Sequence, residues 1–295
     1  MKSSMHAPHI SSDIRTHHFT NREGLRLAGD IGGDPGAQPI VLLHGGGQTR
    51  HSWRQTLDEL VSRGYRVISL DARGHGDSDW AADGDYQLET LGRDLLDVIG
   101  TLPKKPIIVG ASMGGMTALF AVGLAREQAV RSVILVDVVP GLDPQGSQQI
   151  VDFLQGHMGG FDSLEQAADA VSAYNPHRPR PKDISGLMKN LRSHDDGRLY
   201  WHWDPAFFTT SDLIEPLAFR DRLYQICTSI TIPVLLVKGM YSNVVTDQGV
   251  QEFRQRLPQL RVFEVSGAGH MITGDRNDLF NEGVLKFIEE HVGAE

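Results

Sequence analysis

Apolar and polar positions alternate over residues 14–20 and again over 25–31, separated by Asn21-Arg22-Glu23-Gly24. A period of two on either side of a short polar turn predicts an antiparallel strand pair. From residue 39 the texture changes. Short apolar runs without alternation, at 39–43, 65–70, 106–110, 131–137, 233–238 and 261–265, read as strands covered on both faces, as in a parallel sheet. Helical periodicity fills the intervals over 54–63, 87–102, 114–127, 246–257 and 276–291. Strands alternating with helices require right-handed crossovers, which predicts an α/β fold with a mostly parallel, doubly wound, eight-stranded sheet and helices on both sides.

The rhythm breaks once, over 138–232, a stretch too long to be a loop. Its apolar segments at 150–154, 164–174 and 184–191 look helical, and it holds Trp201, Trp203, Phe207 and Phe208. The pattern predicts a helical cap over 138–232, inserted after the sixth strand of a core made of 1–137 and 233–295. Such a cap sits close to the carboxyl ends of the strands, where parallel sheets bind ligands. The four aromatic residues are candidates for an apolar substrate wall, or for packing of the cap on the core. The basic, proline-rich run 176–182 reads as a linker between cap helices.

Composition narrows the function. With 40% hydrophobic and 22% charged residues the 295-residue chain can bury a large core. Its net charge of −9 offers no basic footprint for nucleic acid. One cysteine, Cys227, rules out an internal disulfide and a thiolate-rich metal site, and points to a reducing compartment. The leader 1–13 is polar and lacks a signal-type apolar stretch, and no apolar run approaches the roughly 20 residues of a membrane span. A cytoplasmic protein without membrane attachment is expected, with a homodimer one option for its assembly.

Chemistry concentrates at three places. Strand 106–110 runs directly into Gly110-Ala111-Ser112-Met113-Gly114, followed by a helix of small residues. Gly-x-Ser-x-Gly between a strand and a helix lifts a serine hydroxyl over the sheet on a tight turn, which makes Ser112 a candidate nucleophile. A serine needs a base, and His270 lies on the Gly-rich loop after the last predicted strand. The strand 39–43 ends in His44-Gly45-Gly46-Gly47, where a bare backbone lets an amide approach a developing oxyanion. Gly46 N–H and Met113 N–H are the candidate donors. No Lys follows the glycines as a phosphate loop would require.

With these motifs in order, the chain resembles the α/β-hydrolase superfamily over essentially all of its length beyond the leader. Asp71-Ala72-Arg73-Gly74-His75-Gly76-Asp77-Ser78 is similar to the family's D-x-R-G-x-G-x-S turn, whose implied role is structural. The resemblance implies a Ser, acid, His triad with the acid usually after the seventh strand. There the chain reads Gly239-Met240-Tyr241-Ser242-Asn243-Val244-Val245, with Asn243 where an Asp is expected. An amide stabilises imidazolium poorly. The resemblance leaves two readings: some members place the acid after the sixth strand, which makes Asp137 at the end of that strand the candidate orienter with Asn243 as a neutral hydrogen-bond partner nearby, or Asn243 marks a weakened or altered site and Asp137 only caps the next turn. The resemblance implies a serine hydrolase acting on a small apolar ester or lactone without metal or organic cofactor. Two alternatives stay open on the same fold: a cofactor-free enzyme using His270 mainly as a base, as a C–C bond hydrolase, oxygenase or lyase, and a ligand-binding member that has lost turnover.

Overall fold

The computed structural model describes residues 14–125, 129–176, 178, 180–210, 216–272 and 277–292. The leader 1–13, the end of the helix expected over 114–127 and the start of the one expected at Arg276 lie outside the described residues. Among the described residues ten strands form: β1 (Arg15–Thr20), β2 (Arg26–Gly32), β3 (Pro39–Leu43), β4 (Arg66–Leu70), β5 (Ile107–Ala111), β6 (Ser132–Val136), β7 (Leu191–Ser193), β8 (Leu199–Trp201), β9 (Val234–Gly239) and β10 (Arg261–Val265). Eight of them make one sheet in the order β1-β2-β4-β3-β5-β6-β9-β10. β1 pairs antiparallel with β2, and β2 antiparallel with β4. The other pairings are parallel. The two segments read as alternating pair antiparallel at one side of the sheet, but their burial does not alternate: β1 is exposed except at Phe19 and β2 is buried from Leu27 to Gly32. The continuous apolar runs of β3, β5, β6 and β9 became the buried centre.

Helices cover both faces. On one side α1 (Arg54–Ser62) and α9 (Asn277–Val292) pack through Leu57, Leu60, Phe280 and Ile288. On the other lie α2 (Leu88–Ile99), α3 (Met113–Leu124), α7 (Pro216–Ser229) and α8 (Asp247–Arg256), with Leu95, Phe120, Leu223 and Phe253 in the core. α3 shows no polar face because it is buried nearly all round. No helix among the described residues is long and apolar enough to cross a membrane.

The chain leaves β3 toward β4 on one side and reaches β5 on the other, so the winding reverses between β3 and β5. A reversal of this kind opens a crevice at the carboxyl ends of the two strands. The glycine loop after β3 and Ser112 after β5 both emerge there.

Between β6 and β9 the chain forms α4 (Pro144–Gly156), α5 (Leu164–Tyr174), a 3₁₀ turn (Ser185–Asn190), the β7–β8 hairpin, α6 (Phe207–Thr210) and α7. Local signals set the helix starts. Asp143 accepts from Gly146 N–H at 2.8 Å ahead of Pro144, and Ser163 accepts from Gln166 N–H at 3.1 Å. The segment expected to be helical over 184–191 is a 3₁₀ helix over Ser185–Asn190 rather than an α-helix. Ile184, Leu187 and Leu191 have helical spacing, but pairing of Leu191 with Trp201 draws the segment out into β7 and buries both side chains. α7 belongs with the core layer, since Gly123 of α3 leaves room for Ile226 to pack directly on it.

Candidate active site

Two non-glycine residues among those described have positive φ, Ser112 and Asp137, both at 48°. That backbone region is costly for side chains other than glycine and persists only where the surroundings enforce it. At Ser112 the enforcement is local. Ser112 N–H donates to Val136 O at 3.1 Å, and Ser112 C=O accepts from Gly115 N–H and Met116 N–H at 2.9 and 3.1 Å. A Cβ on Gly110 would come 2.5 Å from Gly114 C, and one on Gly114 2.5 Å from Leu43 O, so the turn closes only with glycine at both positions. The hydroxyl therefore stands at the N-terminus of α3, where the first-turn amides and the helix dipole face it.

His270 and Asp137 meet although 133 positions separate them. His270 Nδ1 lies 2.8 Å from Asp137 Oδ2. Donation from Nδ1–H to the carboxylate leaves Nε2 unprotonated, the tautomer that can receive a proton. The Asp137 side chain is fully buried, whereas that of His270 is 15% exposed. Two further donors converge on the same carboxylate: Gly239 N–H to Oδ1 at 2.9 Å, and Ser242 Oγ–H to Oδ2 at 2.6 Å.

Asn243, expected beside this pair, turns away. Its Nδ2 donates to Gln149 Oε1 of α4 at 2.8 Å in an exposed contact. The neighbouring Ser242 is the residue of this turn that reaches the carboxylate. Sequence reasoning passed over it because a serine in a turn carries no distinguishing signal.

The glycine loop is braced from below. Gly47 N–H donates to His75 Nε2 at 3.3 Å, so His75 donates through Nδ1 to Arg73 O at 3.2 Å. His44 Nε2 accepts from Ala72 N–H at 3.0 Å, and its Nδ1–H donates to Gly45 O at 2.8 Å. Burial lowers both imidazoles, His75 to about 3, so both are neutral and hold these tautomers. Gly45 N–H is engaged by Gln48 Oε1 at 3.2 Å. Among the described residues Gly46 N–H and Met113 N–H have no internal acceptor, and both residues line the same cavity as Ser112.

The turn 71–78 holds the loop in place. Asp71 accepts from Arg50 N–H at 2.6 Å and pairs with the Arg50 guanidinium, which also meets Asp30 at 3.0 Å and Asp77 at 2.8 Å. Against the cost of burial, hydrogen bonds from His51 and Arg50 and the charge of the guanidinium hold the Asp30 carboxyl well below the usual range. The inserted segment is bonded to the same turn, where Gly76 N–H donates to His202 O at 2.8 Å and Asp204 N–H to Gly74 O at 2.7 Å, and to Tyr86, whose OH donates to Asp204 Oδ2 at 2.5 Å.

Ser112 and His270 open together into a cavity of about 660 Å³. Of the aromatic candidates, Trp201, Phe207 and Phe208 line it. Trp203 does not: it is buried against Phe208 at 4.7 Å and bridges to His75, as part of the joint between inserted segment and core. Of the run 176–182, Arg178 and Pro181 line the cavity, while His177 and Pro179 lie outside the described residues.

A sequence profile described as alpha/beta hydrolase fold matches residues 38–276. The chain belongs to the α/β-hydrolase family. It is 30% identical over 247 residues to an esterase of Mycobacterium tuberculosis, covering 81% of this chain and 79% of the relative. It is 27% identical to an sn-1-specific diacylglycerol lipase of Mus musculus, over 88% and 83% of the two chains. Among solved structures, E-2-(acetamidomethylene)succinate hydrolase superimposes with a TM-score of 0.83 at 20% identity, over 94% of this chain and 99% of the other, a likeness of fold. A structure of the Mycobacterium tuberculosis esterase gives 0.75 at 27% identity, over 94% and 92%.

Proposed function

We propose that this α/β hydrolase cleaves an ester-like bond, a carboxylic ester or a lactone, of an apolar substrate through a serine nucleophile and an acyl-enzyme. The observation that carries the reading is that a strained Ser112 and the Asp137-bound His270 line one cavity. The relatives named esterase and lipase support the bond type.

In this reading His270 Nε2 takes the Ser112 proton and the alkoxide attacks the carbonyl carbon. Gly46 N–H and Met113 N–H stabilise the oxyanion, a contribution worth about 3–4 kcal/mol per donor when one is removed from comparable sites. The imidazolium then protonates the departing alcohol. Water, deprotonated by the same histidine, releases the acid and regenerates Ser112. The Met116, Phe153, Leu154 and Phe208 side chains give the cavity an apolar wall, and its volume lies within the usual range for small-molecule sites.

The reading of a member that has lost turnover was favoured by Asn243, and the Asp137 carboxylate against His270 supports turnover over it. The test is a series of nitrophenyl esters of increasing acyl length and a set of lactones, run with a fluorophosphonate probe. Burst kinetics and covalent labelling, both lost in Ser112→Ala, are expected. Turnover that survives Ser112→Ala would refute the covalent mechanism in favour of base catalysis by His270.

A further inference from the structure

On the serine-hydrolase reading, we propose that Ser242 is a positioning residue. It fixes the Asp137 carboxylate on His270 and, through that carboxylate, tunes the imidazole as a base. The argument starts from its hydroxyl. Ser242 Oγ accepts from Val244 N–H at 3.2 Å and from Val245 N–H at 3.0 Å, which occupies its lone pairs. The hydroxyl proton then has one direction left, and it meets Asp137 Oδ2 at 2.6 Å. This is the same oxygen that receives His270 Nδ1–H. The other oxygen is held by Gly239 N–H, from the end of β9.

Both oxygens of the carboxylate are thus gripped from the single turn that follows β9, while the carboxylate itself is rooted after β6. One strand end supplies the charge and the other supplies its aim. Asp137 is fully buried, so bulk water does not replace a donor that is removed. The turn is itself fixed, because Ser242 N–H donates to Gly239 O at 3.0 Å and Tyr241 N–H to Ala268 O at 2.9 Å, two residues before His270. The turn, the acid and the base are locked together as one unit, and Ser242 is the side chain that joins them.

Loss of the hydroxyl leaves more charge on Oδ2 to stabilise imidazolium, so the acid limb of the kcat/KM profile moves to higher pH, by about half a unit. It also frees the carboxylate to rotate, which lowers kcat by about tenfold while KM stays within about twofold. The experiment compares wild type with Ser242→Ala, Ser242→Cys and Ser242→Thr on one nitrophenyl ester across pH. The low-field NMR resonance of His270 Nδ1–H is recorded for each.

Ser242→Ala is expected to show both kinetic changes and a displaced or broadened resonance. Ser242→Thr, which keeps the hydroxyl, is expected to restore all three, and the weaker thiol donor of Ser242→Cys to fall between. The cysteine and threonine variants decide the matter if the alanine variant fails to fold. A purely structural serine would give lower thermal stability with the pH midpoint, kcat and resonance unchanged, and that result overturns the proposal. Failure of the wild type to show Ser112-dependent turnover would instead refute the serine-hydrolase reading, and the resonance would still report on Ser242 independently.

Discussion

Asp137→Asn is the sharpest perturbation of this site. Asparagine tolerates positive φ better than most residues, so the backbone at 48° is retained. The carboxylate, however, faces three donors: Gly239 N–H on Oδ1, and His270 Nδ1–H and Ser242 Oγ–H on Oδ2. An amide places its NH2 against one side of that set. If the NH2 replaces Oδ1, it confronts Gly239 N–H and leaves a buried donor unsatisfied, at a cost of about 1–3 kcal/mol in stability. If it replaces Oδ2, His270 Nδ1 becomes an acceptor and the proton moves to Nε2, the tautomer unable to deprotonate Ser112. The equivalent change in a serine protease lowers kcat by about 10⁴, or about 5.5 kcal/mol in the barrier. The assay is steady-state hydrolysis of a nitrophenyl ester together with the rate of fluorophosphonate labelling and a thermal unfolding curve. Asn243→Asp serves as the companion, expected to stay within about twofold of wild type because that side chain points to Gln149. An Asp137→Asn enzyme within tenfold of wild type, or its rescue by Asn243→Asp, would refute this assignment of the acid.

Four other outcomes follow from the surrounding structure. His75 is neutral when folded, at about 3, against an ordinary 6.5 when unfolded, so the unfolded chain binds the proton first as pH falls. Stability should therefore drop by up to about 1.4 kcal/mol per pH unit between about 6.5 and 3, and chemical denaturation of His75→Gln should show a shallower slope. Trp201→Ala should alter KM and the preferred acyl length because Trp201 lines the cavity. Trp203→Ala should instead lower stability by about 3–5 kcal/mol, read by thermal unfolding, with chain-length preference unchanged. Arg50→Met strands the buried Asp71 and nearby Asp30 carboxylates and should cost about 3–5 kcal/mol in urea titration, with the loss of activity tracking the unfolded fraction.

Local patterning alone determined much of this protein. The polar turn 21–24 between two short segments marks the antiparallel pair, and unbroken apolar runs from residue 39 mark the parallel centre, because strands covered on both faces carry no polar side. Which faces of the pair are covered was not legible in its alternation, since β1 is exposed except at Phe19 and β2 is buried from Leu27 to Gly32. The Ser112 turn was legible for the same reason: its glycines, strand and helix lie within a few residues, and the steric demand of the turn is written into them. His270 and Asp137 were legible as candidates only, since each sits where a strand ends. That they touch depends on β6 and β9 being neighbours in the sheet and on the β10 loop folding back over them. Ser242 and Asn243 are adjacent, and only the hydrogen bonds of the folded turn decide which side chain faces the carboxylate and which faces α4. The hairpin at Leu191 and Trp201, and the separation of Trp203 from the cavity, were likewise tertiary decisions. Helical spacing and aromatic content fix that such residues will be buried, whereas the partner that buries them is set by contacts remote in sequence.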